Sequence, residues 1–278
     1  SVLRRYIEDE GGVDPRAACV AVAGPVRDGR ATLTNLDWTI DKTTLMRATR
    51  AETVAILNDL QAQGHALGHL DPAVIRPILA GPGVQAHAAR LVIGVGTGFN
   101  AAPVFETANG RLVPPSEAGH ANLPIRTDAD LRLCRYVETA HGFPGVEDVL
   151  SGRGLERAYA WLSDEAGDPR ERSAQQIMES CADGQDERAI EAARIFTRIL
   201  GTVAGNLALI QLPFGGIFLV GGVSRAFAPY LERFGFGEAF RDKGRFAGFM
   251  SNFSVSVVED DYAALTGSAA HLVDLLGA

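Results

Sequence analysis

The chain has 278 residues, which is long enough for two domains with a sizeable core. Its 46% hydrophobic and 22% charged residues are typical of a soluble globular protein, and its formal net charge of -8 disfavours nucleic acid or an anionic membrane as a partner. No apolar run approaches the roughly 18 residues of a membrane span, and the start does not resemble a signal peptide. The 3 cysteines lie far apart without a C-x-x-C pair, which predicts a reducing, cytoplasmic location and no zinc site.

The first part of the chain alternates strands and helices. Asn58 and Asp59 follow an apolar strand, where α/β proteins place ligand-binding groups, so the Asp59 carboxylate is a candidate proton acceptor. A helix cap is the alternative for the same two residues, and from the residues alone it is the more frequent case. The elements predicted here are helices over 2–8 and 42–50, the second capped by Asp41, and strands over 18–23, 31–34 and 54–57.

Residues 91–98 read LVIGVGTG, an apolar strand that breaks into a glycine-rich turn. Glycines let the backbone approach a ligand closely, and the N–H groups of such a turn, with the Thr97 hydroxyl, can bind phosphate. A dinucleotide fingerprint needs a glycine at the sixth position and then a helix, whereas Phe99 stands there and a strand over 101–106 follows. Asn109-Gly110 then predicts a hairpin. The pattern favours phosphate over NAD, with a plain turn between strands as the alternative.

Polar residues and a second glycine pair mark the later part of the chain. The loop 116–122 holds a carboxylate, an imidazole and an amide, which suit a polyhydroxyl ligand, and an ordinary polar loop is equally compatible with it. Gly221-Gly222 either admit a nucleoside or simply end a buried strand. No histidine has metal-ligand spacing, so no metal-binding side chains are predicted. The remaining predicted elements are helices over 131–139, 155–163, 174–182, 188–209, 226–233 and 263–276, and strands over 217–220 and 255–258, which together indicate an α/β class.

Nine motifs, read in order, resemble those of the bacterial glucokinases in the hexokinase–actin–Hsp70 superfamily. Each motif alone is weak, but their shared order and spacing are specific, and together they span nearly the whole chain. The matching segments are 33–38, 56–60, 94–98, 116–120, 147–155, 205–209, 214–223, 242–246 and 267–272.

The resemblance implies an architecture and an activity. The fold would be α/β, a two-lobed actin-like ATPase (ribonuclease H-like) fold with a central cleft. Residues 1–70 and 260–278 would form the small lobe and 71–259 the large lobe. The activity would be ATP-dependent phosphorylation of glucose at the 6-hydroxyl, the first step of glycolysis, with Mg²⁺ bound with the nucleotide. The chain would form a homodimer through the helix over 188–209.

The resemblance also implies roles for individual residues. Asp59 would be the general base that takes the proton from the sugar 6-hydroxyl. The other sugar hydroxyls would be held by Asn58, Glu117, His120 and Glu147. Nucleotide phosphate would lie against Gly96, Thr97 and Gly98, and the adenosine against Gly221 and Gly222.

The sequence departs from the family pattern at several places. No Asp-Gly-Gly-Thr phosphate motif is found before Cys19, and Glu10-Gly11-Gly12 is interpreted as the end of a helix. Ser116 and Ala118 replace glycines of the sugar loop, Asn100 replaces the last glycine of the phosphate loop, and Asn122 replaces a common aspartate. A catalytically weak or inactive sugar-binding relative is therefore the alternative hypothesis, which the retained Asp59 opposes.

Overall fold

The computed structural model describes residues 2–32, 38–83, 87–108 and 110–277. The chain divides into two compact units: unit 1 is Ser1–Pro72, Val104–Pro115 and Asp260–Ala278, and unit 2 is Ala73–Pro103 and Ser116–Glu259. The segment 104–115, which the sequence-based division gave to the large lobe, lies in unit 1. It is held there because Gln61 Nε2 donates to the carbonyl oxygen of Val113 over 2.7 Å.

The described residues form ten α-helices and eleven β-strands. The helices are α1 (Val2–Asp9), α2 (Lys42–Thr49), α3 (Asp59–Ala66), α4 (Asp128–His141), α5 (Gly152–Glu165), α6 (Ala174–Asp183), α7 (Glu187–Gln211), α8 (Gly222–Phe227), α9 (Phe236–Arg241) and α10 (Ala263–Leu276). The strands are β1 (Ala17–Val22), β2 (Val26–Arg27), β3 (Arg30–Thr32), β4 (Thr39–Asp41), β5 (Thr53–Asn58), β6 (Ile75–Leu79), β7 (Arg90–Val95), β8 (Phe99–Thr107), β9 (Gly110–Leu112), β10 (Ile217–Val220) and β11 (Val255–Val258).

Unit 1 contains the parallel strand pair β1 and β5 and the antiparallel sheet β2-β3-β4. Buried Val22, Leu45 and Ile56 form part of its core. Gly267 allows α10 to pack closely on α3, because a Cβ at this position would overlap the carbonyl oxygen of Ala62. This helix pair supports α3, whose first residue is Asp59.

Unit 2 contains strands in the order β6-β11-β10-β7-β8. Strand β10 runs parallel to β7 and to β11, and β11 runs antiparallel to β6. Since β7 and β10 are parallel, with Gly94 opposite Val220, their carboxyl ends meet at one edge of the sheet. That edge is where sheets of this kind place their ligands.

Helix α7 is the longest element of unit 2, with 25 residues. By length and composition alone it is apolar enough to cross a membrane, but 61% of its most apolar window is buried inside the protein. Its buried positions include Phe196, which stacks on Phe227 with ring centroids 4.2 Å apart. Helix α7 is therefore packed as a core helix of unit 2.

Most predicted elements are confirmed, including the strand over 217–220, the helix over 263–276 and the interpretation of Gly11 and Gly12 as a helix end. The helix predicted over 226–233 is wrong. Helix α8 instead begins at Gly222, directly after Gly221 turns the chain at φ 98°, and stops before Pro229, which has no N–H to continue the ladder. Strands β2, β4 and β6 and helix α9 were not predicted. Residues 33–37 of the first family motif and Asn109 of the predicted hairpin lie outside the described residues.

Candidate active site

The glycine-rich segment forms a tight turn between β7 and β8, as the sequence predicted. The N–H of Gly96 donates to the carbonyl oxygen of Gly98 over 2.9 Å, and Thr97 is exposed at the tip. A Cβ at Gly96 would meet no other group within 4 Å. The turn leads from strand to strand and not into a helix, which removes the structural context that a dinucleotide fingerprint requires.

The amino end of α5 lies against this turn. The N–H of Gly152 donates to the carbonyl oxygen of Gly96 over 3.0 Å. Buried Ser151 caps the helix by accepting from the N–H of Gly154, and its hydroxyl donates to the carbonyl oxygen of Glu147 over 2.8 Å. A helix amino end favours negative charge, so α5 adds to the phosphate-binding character of the turn.

Gly221 and Gly222 lie at the same edge of the sheet, after β10. A Cβ at Gly221 would come within 2.5 Å of the carbonyl oxygen of Val95, the last residue of β7. Glycine is thus required at 221 both for this close approach and for its φ of 98°. The two glycine-rich segments, distant in sequence, are neighbours in unit 2.

Glu147 is held directly against the glycine-rich turn. It lies in a 3₁₀ turn over Val146–Asp148, and its Oε2 accepts from the N–H of Phe99 over 2.9 Å. A Cβ on Gly98 would overlap this carboxylate. The absence of a side chain at Gly98 therefore lets the half-buried Glu147 sit beside the turn.

The polar loop carrying Glu117 and His120 packs on the start of β8. Residues Ala118–His120 form a 3₁₀ turn. Gly119 of this turn is buried and packs so closely on β8 that a Cβ there would overlap the carbonyl oxygen of Phe99. Glu117 and His120 are exposed. Within the part of the chain that the structure describes, neither the Glu117 carboxylate nor the His120 imidazole has a hydrogen-bond or ion-pair partner. Both side chains are available to a polar ligand.

Asn100 belongs to this cluster, although the sequence marked it only as a departure from a glycine pattern. Its side chain bonds to Ser116 and to the N–H of Ala118. No local pattern pairs Asn100 with residues 16 or 18 positions away, so only the fold reveals this contact. Unit 2 thus brings together the two glycine-rich segments, Glu147 and the loop 116–120.

Asn58 and Asp59 lie in unit 1, at the end of β5. Asn58 caps α3: its Oδ1 accepts from the N–H of Leu60 over 2.9 Å, and its Nδ2 donates to the carbonyl oxygen of Gly24 over 3.1 Å. The capping interpretation is therefore confirmed for Asn58, which leaves Asp59 as the first helical residue.

The Asp59 carboxyl group is perturbed by its surroundings. Although the residue reaches the surface, desolvation by the protein around its carboxyl group raises the pKa of Asp59 above its usual range. Hydrogen bonds from the N–H of Leu60 and from Asn58 oppose this rise. A higher pKa makes the carboxylate a better proton acceptor.

Comparison with known proteins matches this chain to one family. The Glucokinase family model matches residues 1–275. The glucokinase of Sinorhizobium fredii is 33% identical over 270 residues, which cover 96% of this chain and 79% of that protein. The chain belongs to the glucokinase family. It is a hexose kinase.

Solved structures agree with this assignment. The crystal structure of a glucokinase from an Antarctic psychrotroph has a TM-score of 0.85 and 32% identity, covering 98% of this chain and 84% of that one. A ROK family glucokinase from Streptomyces griseus, solved in complex with glucose and AMPPNP, has a TM-score of 0.62 and 20% identity. The match covers 98% of this chain and 86% of that one. These neighbours confirm the actin-like ATPase fold expected from the motifs.

Proposed function

We propose that this hexose kinase transfers the terminal phosphoryl group of ATP to the 6-hydroxyl of glucose, the first step of glycolysis, in the cytoplasm. The observation that carries the proposal is the contact between Glu147 and the glycine-rich turn, where a carboxylate suited to a sugar hydroxyl adjoins a loop suited to phosphate. Membership of the glucokinase family supports glucose as the sugar. The solved Streptomyces griseus relative, with glucose and AMPPNP bound, is consistent with this pair of substrates.

Asp59 is the general base of the proposed reaction. Its carboxylate takes the proton of the 6-hydroxyl as the sugar oxygen bonds to the terminal phosphorus of ATP. The bond from that phosphorus to the bridging oxygen breaks, and ADP leaves with the electron pair. Phosphoryl transfer depends chiefly on positioning and on stabilising charge, so one well-placed base suffices.

The remaining sugar hydroxyls are assigned to Asn58, Glu117, His120 and Glu147. Carboxylate, amide and imidazole groups discriminate between hexoses because a misplaced hydroxyl leaves one of these groups unpaired. The side chains of Glu117 and His120 are exposed and, among the residues that the structure describes, have no hydrogen-bond or ion-pair partner, which supports their assignment.

The nucleotide is assigned to the carboxyl edge of the unit 2 sheet. Gly96, Thr97 and Gly98 would hold its phosphates, and Gly221 and Gly222 would lie against its adenosine. Among the described residues, no group of three or more His, Cys, Asp or Glu side chains is arranged to bind a metal ion. Mg²⁺ would be held by the phosphates of the nucleotide and by water, and it would neutralise phosphate charge there.

The proposed assembly is a homodimer that buries α7 and the helices beside it. The face formed by α4, α5, α7 and α9 carries acidic and basic side chains of both signs, including the Arg126–Asp242 and Arg132–Glu165 pairs. Mixed charge on one face suits contact with the same face of a second copy. We expect sedimentation to give the mass of two chains at micromolar concentration, and a monomer there would contradict the proposal.

An ADP-release assay with Mg-ATP and a panel of hexoses tests the function. We expect release that depends on the sugar and is greatest with glucose. A chain that binds glucose but releases no ADP would instead be the inactive sugar-binding relative. Saturable NAD binding with no sugar dependence would favour an oxidoreductase.

A further inference from the structure

Asn100, Ser116 and Ala118, three of the positions at which this chain departs from the glycine-rich family pattern, contact one another. Asn100 Nδ2 donates to the carbonyl oxygen of Ser116 over 2.5 Å. Its Oδ1 accepts from the N–H of Ala118 over 3.0 Å and lies 3.1 Å from the Ser116 hydroxyl, which also contacts the carbonyl oxygen of Ala101. One amide side chain therefore ties the loop 116–120 to β8 through both its donor and its acceptor.

The bond to Ala118 has a capping role. Ala118 is the first residue of the 3₁₀ turn that ends at His120, so its N–H has no partner within the turn. The residue in the cap position is Glu117, and its side chain makes no capping bond. The Oδ1 atom of Asn100, on β8, accepts the N–H of Ala118 instead. Within the described part of the chain the Glu117 carboxylate has no partner, although it stands where a side chain usually caps the turn, so it can contact a ligand.

The position of Asn100 links this loop to the rest of the site. Asn100 follows the glycine-rich turn by two residues. Its neighbour Phe99 donates its N–H to Glu147, and the carbonyl oxygen of Phe99 lies against Gly119. Adjacent residues of β8 thus hold Glu147 and the loop that carries Glu117 and His120.

We propose that Asn100 is a positioning residue for the hexose: its amide orders the loop 116–120 before the sugar arrives. Ordering a loop in advance lowers the entropy lost on binding, so the gain falls on sugar affinity. The inference rests on the proposed sugar-binding roles of Glu117 and His120. It predicts little effect on the nucleotide, because Asn100 makes no contact with residues 96–98 among the hydrogen bonds of the described chain.

Asn100→Ala is the direct test, with Asn252→Ala as the matched control. Asn252 also bonds a backbone carbonyl, from Nδ2 to Phe249 over 2.7 Å, but it lies in the 3₁₀ turn before β11. For Asn100→Ala we expect the calorimetric Kd for glucose to rise about tenfold, the KM for ATP to stay within about twofold, and kcat at saturating glucose to stay within about threefold. Asn252→Ala should leave all three unchanged.

Hydrogen exchange supplies a readout that does not depend on turnover. The Ala118 amide should exchange faster in Asn100→Ala than in the parent chain, because its acceptor is gone. Asn100→Asp keeps an acceptor for this amide but loses the donor to Ser116, so we expect protection to remain and the Kd for glucose to rise only about threefold. If Asn100→Ala does not fold, Asn100→Asp carries the test.

The outcomes separate this inference from the proposed function. Faster exchange at Ala118 with an unchanged Kd for glucose would overturn the positioning role. Equal losses of glucose and ATP affinity would overturn it too, because they would indicate a general structural effect. A parent chain that neither binds nor phosphorylates glucose would overturn the proposed function and this inference together.

Discussion

The start of α3 in unit 1 and the loops at the carboxyl edge of unit 2 both present carboxylates, but they are built differently. Asp59 is the first residue of a helix that is capped by Asn58 and packed closely against α10. Glu147 and Glu117 lie on loops. The Glu147 carboxylate accepts from the N–H of Phe99, and the Asn100 side chain accepts from the N–H of Ala118, next to Glu117. The proposed proton acceptor is thus fixed by a helix, whereas the side chains proposed to recognise hydroxyls lie on loops tied to one strand.

The largest effect is expected at Asp59. Asp59→Asn keeps most hydrogen bonds but removes the base, so we expect turnover to fall by about a thousandfold or more, with glucose affinity within roughly tenfold. Calorimetry and ADP release on the same preparation measure the two effects. Asp28→Asn, the same change at an exposed turn position of unit 1, should alter neither. Loss of glucose binding with turnover retained would contradict the role of Asp59.

The loops are tested by two glycines of the same turn, Gly96 and Gly98, which differ in what surrounds them. Gly98→Ala forces a methyl group against the Glu147 carboxylate, so we expect an affinity loss of about tenfold for glucose and a lower Tm. Gly96→Ala enters open space, so Tm should not change and only the KM for ATP should rise. Kinetics and thermal unfolding of both variants make the comparison. Equal Tm values for the two variants would show that the Glu147 carboxylate does not need the space left by the missing side chain at Gly98.

The packing of α3 on α10 can be tested by lowering the pH, because a buried histidine lies between the two helices. His65 on α3 lies 4.4 Å from His271 on α10, between ring centroids, and among the described residues its Nδ1 is buried without a partner. Burial, together with the charges of His271 and Arg111, lowers the pKa of His65 to about 4, and Asp274 and Glu106 oppose this shift only in part. The imidazole is therefore neutral in the folded protein at neutral pH.

The sign of the pH effect follows from the unfolded chain, where His65 titrates near 6.5. Between about pH 6.5 and 4 the unfolded state binds more protons than the folded state. The free energy of unfolding should therefore decrease as the pH is lowered, by about 2 kcal/mol at pH 4.5 relative to pH 7.5. Urea unfolding at pH 7.5 and 4.5 measures this loss. It should shrink in His65→Gln and persist in His69→Gln, which changes an exposed histidine. An unchanged loss in His65→Gln would assign it to other groups.

Local features of this molecule were predictable from sequence, whereas contacts between distant segments were not. The caps at Asp41 and Asn58 and the strand–turn–strand context of Gly96 depend on neighbouring residues, so the pattern predicts them. The Glu147–Phe99 bond joins residues 48 positions apart and depends on the assembled fold. The family resemblance is the source of the roles proposed for Asp59, Glu117 and His120, which the residues alone left undecided between function and ordinary structure.

The same distinction explains the errors. A helix was predicted over 226–233, but the helix begins directly after Gly221 and ends before Pro229. Asn100 looked like the loss of a glycine, and its partners became visible only when β8 and the loop 116–120 were placed side by side.

The most direct test of the proposed phosphoryl transfer to the 6-hydroxyl of glucose is the identity of the product. We would follow the full chain with Mg-ATP and ¹³C-labelled glucose by ¹³C and ³¹P nuclear magnetic resonance. We expect a phosphate ester at carbon 6, seen as phosphorus coupling on that carbon, in step with the appearance of ADP. An ester at another carbon, or ADP without any sugar ester, would contradict it.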